Sequence, residues 1–243
     1  MLKITLQHQA NDFKYNLRRY FKVSTQEIIN ILILSFMISA IFTLETVKSQ
    51  FFLYLGISLI LLSLKVIFQK LFAIQFGYTA IFDFDYMKKY IIIFSAIFII
   101  LPIKLFYTGT IRIENIPELR MGKRSKFPEH TQQGIISYCG IIPLLILLFL
   151  ANKLPFFTGS TSITIFTKLT YLFVILSILP FPYFDGFNLL YGSRTLYVLY
   201  TSLIALILML IYIGTSVTTT LLTAILIALT ITTLYYYSFE IKF

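Results

Sequence analysis

The stretch that decides the fold is Leu176–Leu190, which reads LSILPFPYFDGFNLL. An apolar segment ends in two prolines, Pro180 and Pro182, and Asp185 and Gly186 follow before the apolar sequence resumes. Proline breaks a helix and frees backbone groups that protein, not lipid, must satisfy. A carboxylate in such surroundings is costly without a partner. The stretch therefore predicts a polar site inside a helical membrane protein.

The composition of the whole chain favours the same class of protein. Of its 243 residues, 58% are hydrophobic and 12% are charged, which is too apolar for an ordinary soluble domain. Several apolar runs approach the roughly 20 residues needed to cross a bilayer. We predict an all-α polytopic membrane protein. We expect its net charge of +10 to reflect cytosolic loops and contact with anionic lipid, and we expect no nucleic-acid partner.

Residues that bind transition metals are scarce. Cys139 is the single cysteine, and the two histidines, His8 and His130, lie in polar stretches. One cysteine excludes an internal disulfide framework and a cysteine-based zinc cluster. Two histidines outside the apolar runs exclude a multi-histidine metal site in the membrane within this one chain. We therefore expect no metal and no other cofactor.

The chain divides into three parts. Residues 1–23 form a basic arm whose apolar and basic side chains follow helical spacing, typical of an amphipathic helix on the cytoplasmic leaflet; a solvated basic tail is the alternative. Residues 24–194 form the membrane core, and residues 195–243 form a C-terminal transmembrane hairpin. In the hairpin, threonine hydroxyls are expected to bond to helix carbonyls and Tyr235–Tyr237 to form an interfacial aromatic belt.

The apolar runs predict the individual helices. Ser24–Glu27 reads STQE, a capping box that opens the first helix. The second helix ends before Gly77, carries Lys65 well inside it and carries Lys70 nearer its end, where the side chain could snorkel. Spanning helices are expected at about 27–44, 51–76, 135–151, 163–179, 195–213 and 217–237, and short strands at 78–84 and 107–113.

The run at 90–107, which Pro102 interrupts, decides the topology. If every apolar run crosses, the basic arm and the loop at 108–134 lie on opposite sides, and each carries five basic residues. That arrangement violates the positive-inside rule in either orientation. We therefore expect 90–107 to enter the membrane and return, which leaves six spanning helices. Irregular backbone at that depth is permitted where protein covers it.

With these features the chain resembles the site-2 protease family of intramembrane zinc metalloproteases, particularly its prokaryotic members of similar length. The family's third zinc ligand lies in a motif of the form N-x-x-P-x-P-x-x-D-G. The corresponding residues here are Ser177, Pro180, Pro182, Asp185 and Gly186. The resemblance covers roughly residues 24–190. It implies a site-2-protease-like core with short strands, in a prokaryotic cell membrane, and we expect a cytoplasmic N-terminus.

Two further motifs follow the order that the family has. One is a helix with H-E-x-x-H, then an alanine four residues on and a glycine four beyond that. Aligning Ala73 and Gly77 on these places puts Lys65, Val66 and Gln69 over the zinc motif. The other is a helix that opens near A-G-P, which is similar to Cys139-Gly140-Ile141.

The side chains that carry out zinc hydrolysis in that family are missing here. The two histidine positions hold Lys65 and Gln69, and the position of the glutamate base holds Val66, which cannot accept a proton. Of the ligand set only Asp185 remains, and one carboxylate cannot hold a catalytic zinc. The resemblance therefore implies a protease-like fold without protease chemistry.

The surviving charges suggest what replaced the metal. Ligands of one zinc lie within about 4 Å of each other. Lys65 and Asp185 occupy positions that hold two of the zinc ligands in the family that the chain resembles. We expect the Lys65 ammonium to replace the metal and pair with Asp185, with Gln69 one turn away. The alternatives are that Lys65 snorkels or faces a wet cavity, and that Asp185 serves in a turn or as a helix cap.

These expectations lead to a predicted function as a structural or regulatory subunit of a membrane complex. A membrane-protein partner would dock beside the strand at 78–84, where a partner strand can add to an exposed edge. One alternative is a metallopeptidase of the same family whose metal is completed by another chain. Another is a small transporter or channel that uses Lys65 and Asp185 as a charge relay.

Overall fold

The structure, a computed structural model, describes residues 14–43, 50–82, 106–116, 130–153, 161–181, 184–213 and 217–240. Six helical stretches in these ranges are long and apolar enough to cross a membrane. The protein is therefore a multi-pass α-helical membrane protein. The predicted re-entrant run at 90–107 falls almost wholly outside the described residues, so the structure does not test it.

Helices dominate the described part of the chain. A short helix over 14–20 precedes α1. The further elements are α1 (Thr25–Thr43), α2 (Phe51–Gln75), β1 (Tyr78–Phe82), β2 (Ile111–Asn115), α3 (His130–Cys139), α4 (Ile141–Lys153), α5 (Thr161–Ile178), α6 (Asp185–Gly192), α7 (Arg194–Ile213), α8 (Val217–Tyr235) and a π-helical turn (Tyr236–Glu240).

Helix α2 lies at the centre of the fold. It contacts α1, β1, α3, α4 and α5, and Leu61 and Leu62 near its middle are fully buried. The buried residues of α2 include several polar side chains, among them Ser58, Lys65, Gln69 and Lys70. Polar side chains on α2 must therefore find partners on the neighbouring elements, because an unpaired polar group in such a place is costly.

The N-terminal features follow the sequence predictions. The backbone N–H of Ser24 donates to Glu27 Oε2 at 2.8 Å, and the N–H of Glu27 donates to Ser24 Oγ at 3.2 Å, which confirms the capping box. In the short helix over 14–20 and the two residues after it, three of the apolar side chains are half-buried, Tyr15 is exposed, and the basic side chains are exposed. The half-buried ones are Leu17, Tyr20 and Phe21, and the exposed basic ones are Lys14, Arg18, Arg19 and Lys22.

The two strands pair antiparallel, with Tyr78 opposite Asn115 and Phe82 opposite Ile111. Helix α2 ends as predicted, with Gly77 in the left-handed region at φ 80°. The second strand was expected at 107–113, but β2 begins only at Ile111. Ile111 lies opposite Phe82, the last residue of β1 that the structure describes.

One predicted helix is interrupted. The expected span at 135–151 consists of α3 and α4, which are separated at Gly140. Pro143 explains the break, because proline has no N–H to donate to the carbonyl of Cys139 and its ring crowds that carbonyl. Helix α3 also begins earlier than expected, at His130.

The early start of α3 has a packing cause. A Cβ atom at Gly134 would lie 2.7 Å from Leu189 Cα of α6, and one at Gly192 would lie 2.5 Å from the carbonyl oxygen of His130. Only glycine permits this approach, so the backbones of α3 and α6 are in direct contact. This contact extends the helix into the polar sequence before Ile135 and fixes α6 against the core.

The C-terminal hairpin agrees with prediction apart from its last turn. Helix α8 packs chiefly against α7, and its other apolar side chains, such as Leu222 and Leu226, are exposed. The predicted helix to residue 237 ends at Tyr235 and continues as the π-helical turn. Thr223 donates to the carbonyl of Thr219 at 2.6 Å, as expected of a threonine in an apolar helix.

Candidate functional site: a buried polar cluster on helix α2

Three of the residues that the sequence comparison aligned with a zinc motif lie on the buried part of α2. Lys65 and Gln69 are one turn apart and both are 0% exposed, and Val66 is buried beside them. Residues four apart lie on one face of a helix, so Lys65 and Gln69 point into the same region. That region is enclosed by α3, by α6 and by the backbone that precedes β2.

Lys65 meets Asp185 at the centre of this region. Its Nζ atom lies 2.7 Å from Asp185 Oδ2, and both side chains are fully buried. The same nitrogen donates to the carbonyl oxygens of Thr108 at 3.0 Å and Gly109 at 2.8 Å. Three oxygen atoms thus lie within 3.0 Å of the ammonium. Lys65 therefore does not snorkel.

The backbone at 108–109 is shaped for this contact. Gly109 has φ 77°, a conformation that L side chains rarely adopt. Its carbonyl and that of Thr108 are turned toward the ammonium.

Gln69 connects the carboxylate to α3. Its Nε2 atom donates to the carbonyl oxygen of Ser137 at 2.8 Å and to Asp185 Oδ1 at 3.3 Å. The end of α3 leaves its last carbonyls without helical partners, and Ser137 is one of these. A Cβ atom at Gly140 would lie 2.7 Å from Gln69 Cγ, so only glycine at the helix break leaves room for this side chain.

Asp185 is held in place by the turn between α5 and α6. It is the first residue of α6, after an N-cap at Phe184. The alternative that Asp185 serves as a helix cap is therefore wrong. A carboxylate in the first turn of a helix is favoured by the helix dipole. A Cβ atom at Gly186 would collide with the carbonyl oxygen of Ile178. Glycine there lets α6 fold back tightly onto the end of α5.

The remaining motif positions lie around this cluster. Ser177 Oγ lies 3.5 Å from Thr108 Oγ1, and both residues are buried. Pro180 lies in the turn after α5, and Pro182 is outside the described residues. Gly77 ends α2 away from the cluster.

Four contributors were not predicted from the sequence. Three are main-chain carbonyls, at Thr108, Gly109 and Ser137, and such groups leave no signature in a sequence. The fourth is Asn188, whose Nδ2 donates to Ser137 Oγ at 3.1 Å. Asn188 lies three residues after Asp185 in the same helix, so helical spacing could have placed it on the same face.

The donor set does not fit a zinc ion. Zinc needs three or four deprotonated nitrogen, sulfur or oxygen ligands, whereas Lys65 offers an ammonium and Gln69 an amide beside the single carboxylate of Asp185. The ammonium lies within hydrogen-bond distance of the one carboxylate. It therefore occupies the space beside Asp185 that a metal ion would need. Among the residues that the structure describes, no group of three His, Cys, Asp or Glu side chains is placed to hold a metal ion.

A second buried cluster lies nearer the C-terminal end of α2. Lys70 Nζ is 2.7 Å from both carboxylate oxygens of Glu27 and donates to the carbonyl oxygen of Lys22 at 2.7 Å. Glu27 Oε1 also accepts the backbone N–H of Phe82 at 2.8 Å. Lys70, which the sequence indicated could snorkel, is instead buried and paired with a carboxylate on α1.

The chain was compared with known protein families, curated proteins and solved structures. No protein-family model, curated protein or solved structure matches the chain. The function is therefore inferred from the two clusters and the elements that hold them.

Proposed function

We propose that this chain is a catalytically inactive, site-2-protease-like membrane protein that acts as a structural or regulatory subunit of a membrane complex. The observation that carries the proposal is the position of the Lys65 ammonium. It is fully buried, lies 2.7 Å from Asp185 Oδ2 and donates to two backbone carbonyls. In the family that the sequence resembles, both of these positions hold the catalytic metal.

The chemistry of the pair supports an inactive site. A charged ammonium has no lone pair to offer a metal, and its attraction to Asp185 occupies the carboxylate that a metal would need. Val66, at the position of the catalytic base, is an apolar side chain in an apolar setting and cannot take a proton from water. In place of a reactive centre, Lys65, Gln69 and Asp185 join α2, α3 and α6.

The surface proposed for the partner is the two-stranded sheet. Glu27 and Asn30 on α1 bind the N–H and carbonyl of Phe82, so α1 covers the end of β1. A partner strand would therefore add beside β2, whose Arg112 and Glu114 side chains are exposed. In a prokaryotic cell membrane with a cytoplasmic N-terminus, this sheet and the basic face over 14–22 would lie on the same side, since both adjoin the end of α2.

Metal analysis of the purified protein tests the inactive-site part of the proposal. We expect zinc far below one equivalent per chain after purification without chelators, and no gain after incubation with zinc. An Asp185→Asn variant is the matched control and should bind the same small amount. One tightly held zinc per chain, lost in that variant, would overturn the proposal and favour a metallopeptidase completed by another chain.

Site-specific photo-crosslinking in the native membrane tests the subunit part. A photoreactive amino acid at Arg112, beside β2, should give a discrete adduct with one membrane protein. The same amino acid at Leu226, on the exposed face of α8, is the control and should give none of that adduct. If position 112 yields only the uncrosslinked chain, the subunit proposal fails even when no zinc is found.

The transporter alternative is tested separately. A charge relay through Lys65 and Asp185 predicts ion flux into proteoliposomes that Asp185→Asn abolishes. Under our proposal the reconstituted protein shows no flux above that of empty vesicles.

A further inference from the structure

A cavity of about 760 Å³ opens at the end of the helix bundle opposite the sheet. It lies between the C-terminal ends of α1, α4 and α7 and the N-terminal parts of α2 and α5, which contribute Phe42, Asn152, Ile211, Tyr54 and Lys168, among others. The sheet follows the other end of α2, so this cavity is separate from both buried ion pairs. Its size falls in the range of pockets that hold small ligands, roughly 300–1,000 Å³.

The cavity has an apolar floor and a polar rim. Phe42, Tyr54 and Ile211 on the floor are buried in the core, and the rings of Phe42 and Tyr54 stack with centroids 5.4 Å apart. Asn152 and Lys168 on the rim are exposed. A site of this kind matches a molecule with a polar head and a hydrocarbon tail, because the tail can leave contact with water while the head stays at the rim.

The charge of the rim indicates the charge of the head. Lys168 is the one charged side chain among the described residues that line the cavity, and none of those residues is a carboxylate. Lys168 lies on α5, a helix otherwise made of apolar and hydroxyl side chains. An ammonium on such a helix favours an anionic group beside it, and phosphate is the anion that membrane lipids supply.

The surroundings of the cavity favour a lipid over a soluble ligand. Helices α5 and α7, which form two of its walls, are both long and apolar enough to span the membrane. Tyr212 of α7, on the rim, is 85% exposed, and an exposed tyrosine at the end of a spanning helix is typical of the lipid headgroup region.

We propose that this cavity binds one anionic phospholipid, with its phosphate beside Lys168 and an acyl chain against Phe42, Tyr54 and Ile211. This binding is independent of the proposed function, because the cavity shares no residue with the polar clusters. Lys168 selects the headgroup, and the floor accepts the chain.

Tryptophan fluorescence offers a direct test, because the chain contains no tryptophan. Tyr171→Trp places a single reporter on the cavity wall, and Leu226→Trp places one on the exposed face of α8 as the matched control. Each variant is reconstituted into vesicles that mix phosphatidylglycerol and phosphatidylcholine, and either one or the other lipid is brominated to quench nearby tryptophan.

In the Tyr171→Trp variant, brominated phosphatidylglycerol should quench with roughly fivefold higher apparent affinity than brominated phosphatidylcholine, as expected for one lysine beside an anionic headgroup. The Leu226→Trp variant should respond equally to both. Adding Lys168→Gln to Tyr171→Trp should abolish the preference, Lys168→Arg should retain it, and Lys14→Gln, which removes an exposed lysine elsewhere, should leave it unchanged.

Several results would overturn the proposal. Equal quenching by the two lipids in the Tyr171→Trp variant would show that the cavity does not select an anionic head. A preference that survives Lys168→Gln would assign the selection to another group. If millimolar inorganic phosphate removes the preference, the site takes a free anion and not a lipid. Each variant is first shown to be folded by the protection of its buried Cys139 from a thiol-reactive dye.

Discussion

Helix α2 holds two buried lysines, and their surroundings differ. Lys65 is 0% exposed and contacts Asp185 and two backbone carbonyls, whereas Lys70 contacts Glu27 and the carbonyl of Lys22. Five residues along a helix correspond to about 7.5 Å of rise and about 140° of rotation. The two ammonium groups therefore face different neighbours, one toward α6 and the other toward α1.

The difference shows how position along a helix sets the cost of a buried charge. Lys65 lies in the middle of α2, so neither the lysine nor Asp185 can reach water if its partner is removed. Lys70 lies near the end of α2, beside the exposed residue Lys22, and its long side chain can reach solvent after a modest movement. Removing a partner should therefore cost much more at Lys65 than at Lys70.

The largest effect is expected from Asp185→Ala. This change leaves the Lys65 ammonium buried with two carbonyls and no counter-charge, and breaking a buried pair in this way costs about 3–5 kcal/mol. Unfolding in mild detergent can be followed with a thiol-reactive dye, because the single cysteine, Cys139, is buried. A loss below about 1 kcal/mol would show that Lys65 does not depend on Asp185.

A smaller effect is expected from Glu27→Gln. This change keeps the shape of the side chain but removes the charge that faces Lys70 and weakens the acceptor for the N–H of Phe82. Losing hydrogen bonds to a charged group costs about 1.5–3 kcal/mol, and the escape of Lys70 to water should keep the loss at the lower end. If Glu27→Gln destabilises the protein more than Asp185→Ala in the same assay, the comparison between the two lysines is wrong.

The smallest effect is expected from Glu114→Gln. The Arg112–Glu114 pair is 3.3 Å long, and its side chains are 57% and 45% exposed. Exposed pairs contribute about 0–1 kcal/mol, so this variant should unfold within about 0.5 kcal/mol of the unchanged protein. It serves as the surface reference for the two buried pairs, and a large loss would indicate that the sheet carries a role in folding that its exposure does not suggest.

The spanning helices could be predicted because bilayer thickness fixes the length of an apolar run. Capping and glycine signals then placed several ends, as at Ser24 and Gly77. The break at Gly140 was not predicted, although Pro143 lies three residues beyond it, because the surrounding sequence is strongly apolar and looks like one continuous spanning helix. The early start of α3 depends on backbone contact with α6, which no local signal carries.

The polar clusters could be predicted only in part. Lys65, Gln69 and Asp185 were named because their order along the chain follows a known motif pattern. The carbonyls at Thr108 and Gly109 were not, because main-chain groups are the same at every residue. Glu27 already had a local explanation as part of the capping box, so its second role as the partner of Lys70, 43 residues away, was hidden.

A double-mutant cycle on Lys65→Met and Asp185→Leu tests most directly the claim that the ion pair between these two side chains holds the core together. The free energy of unfolding of the two single variants and the double variant is measured in one detergent at one pH. We predict that the double variant is much less destabilised than the sum of the singles, because it leaves no buried charge unpaired. Additive losses would contradict the claim, since they would mean that the two side chains contribute independently.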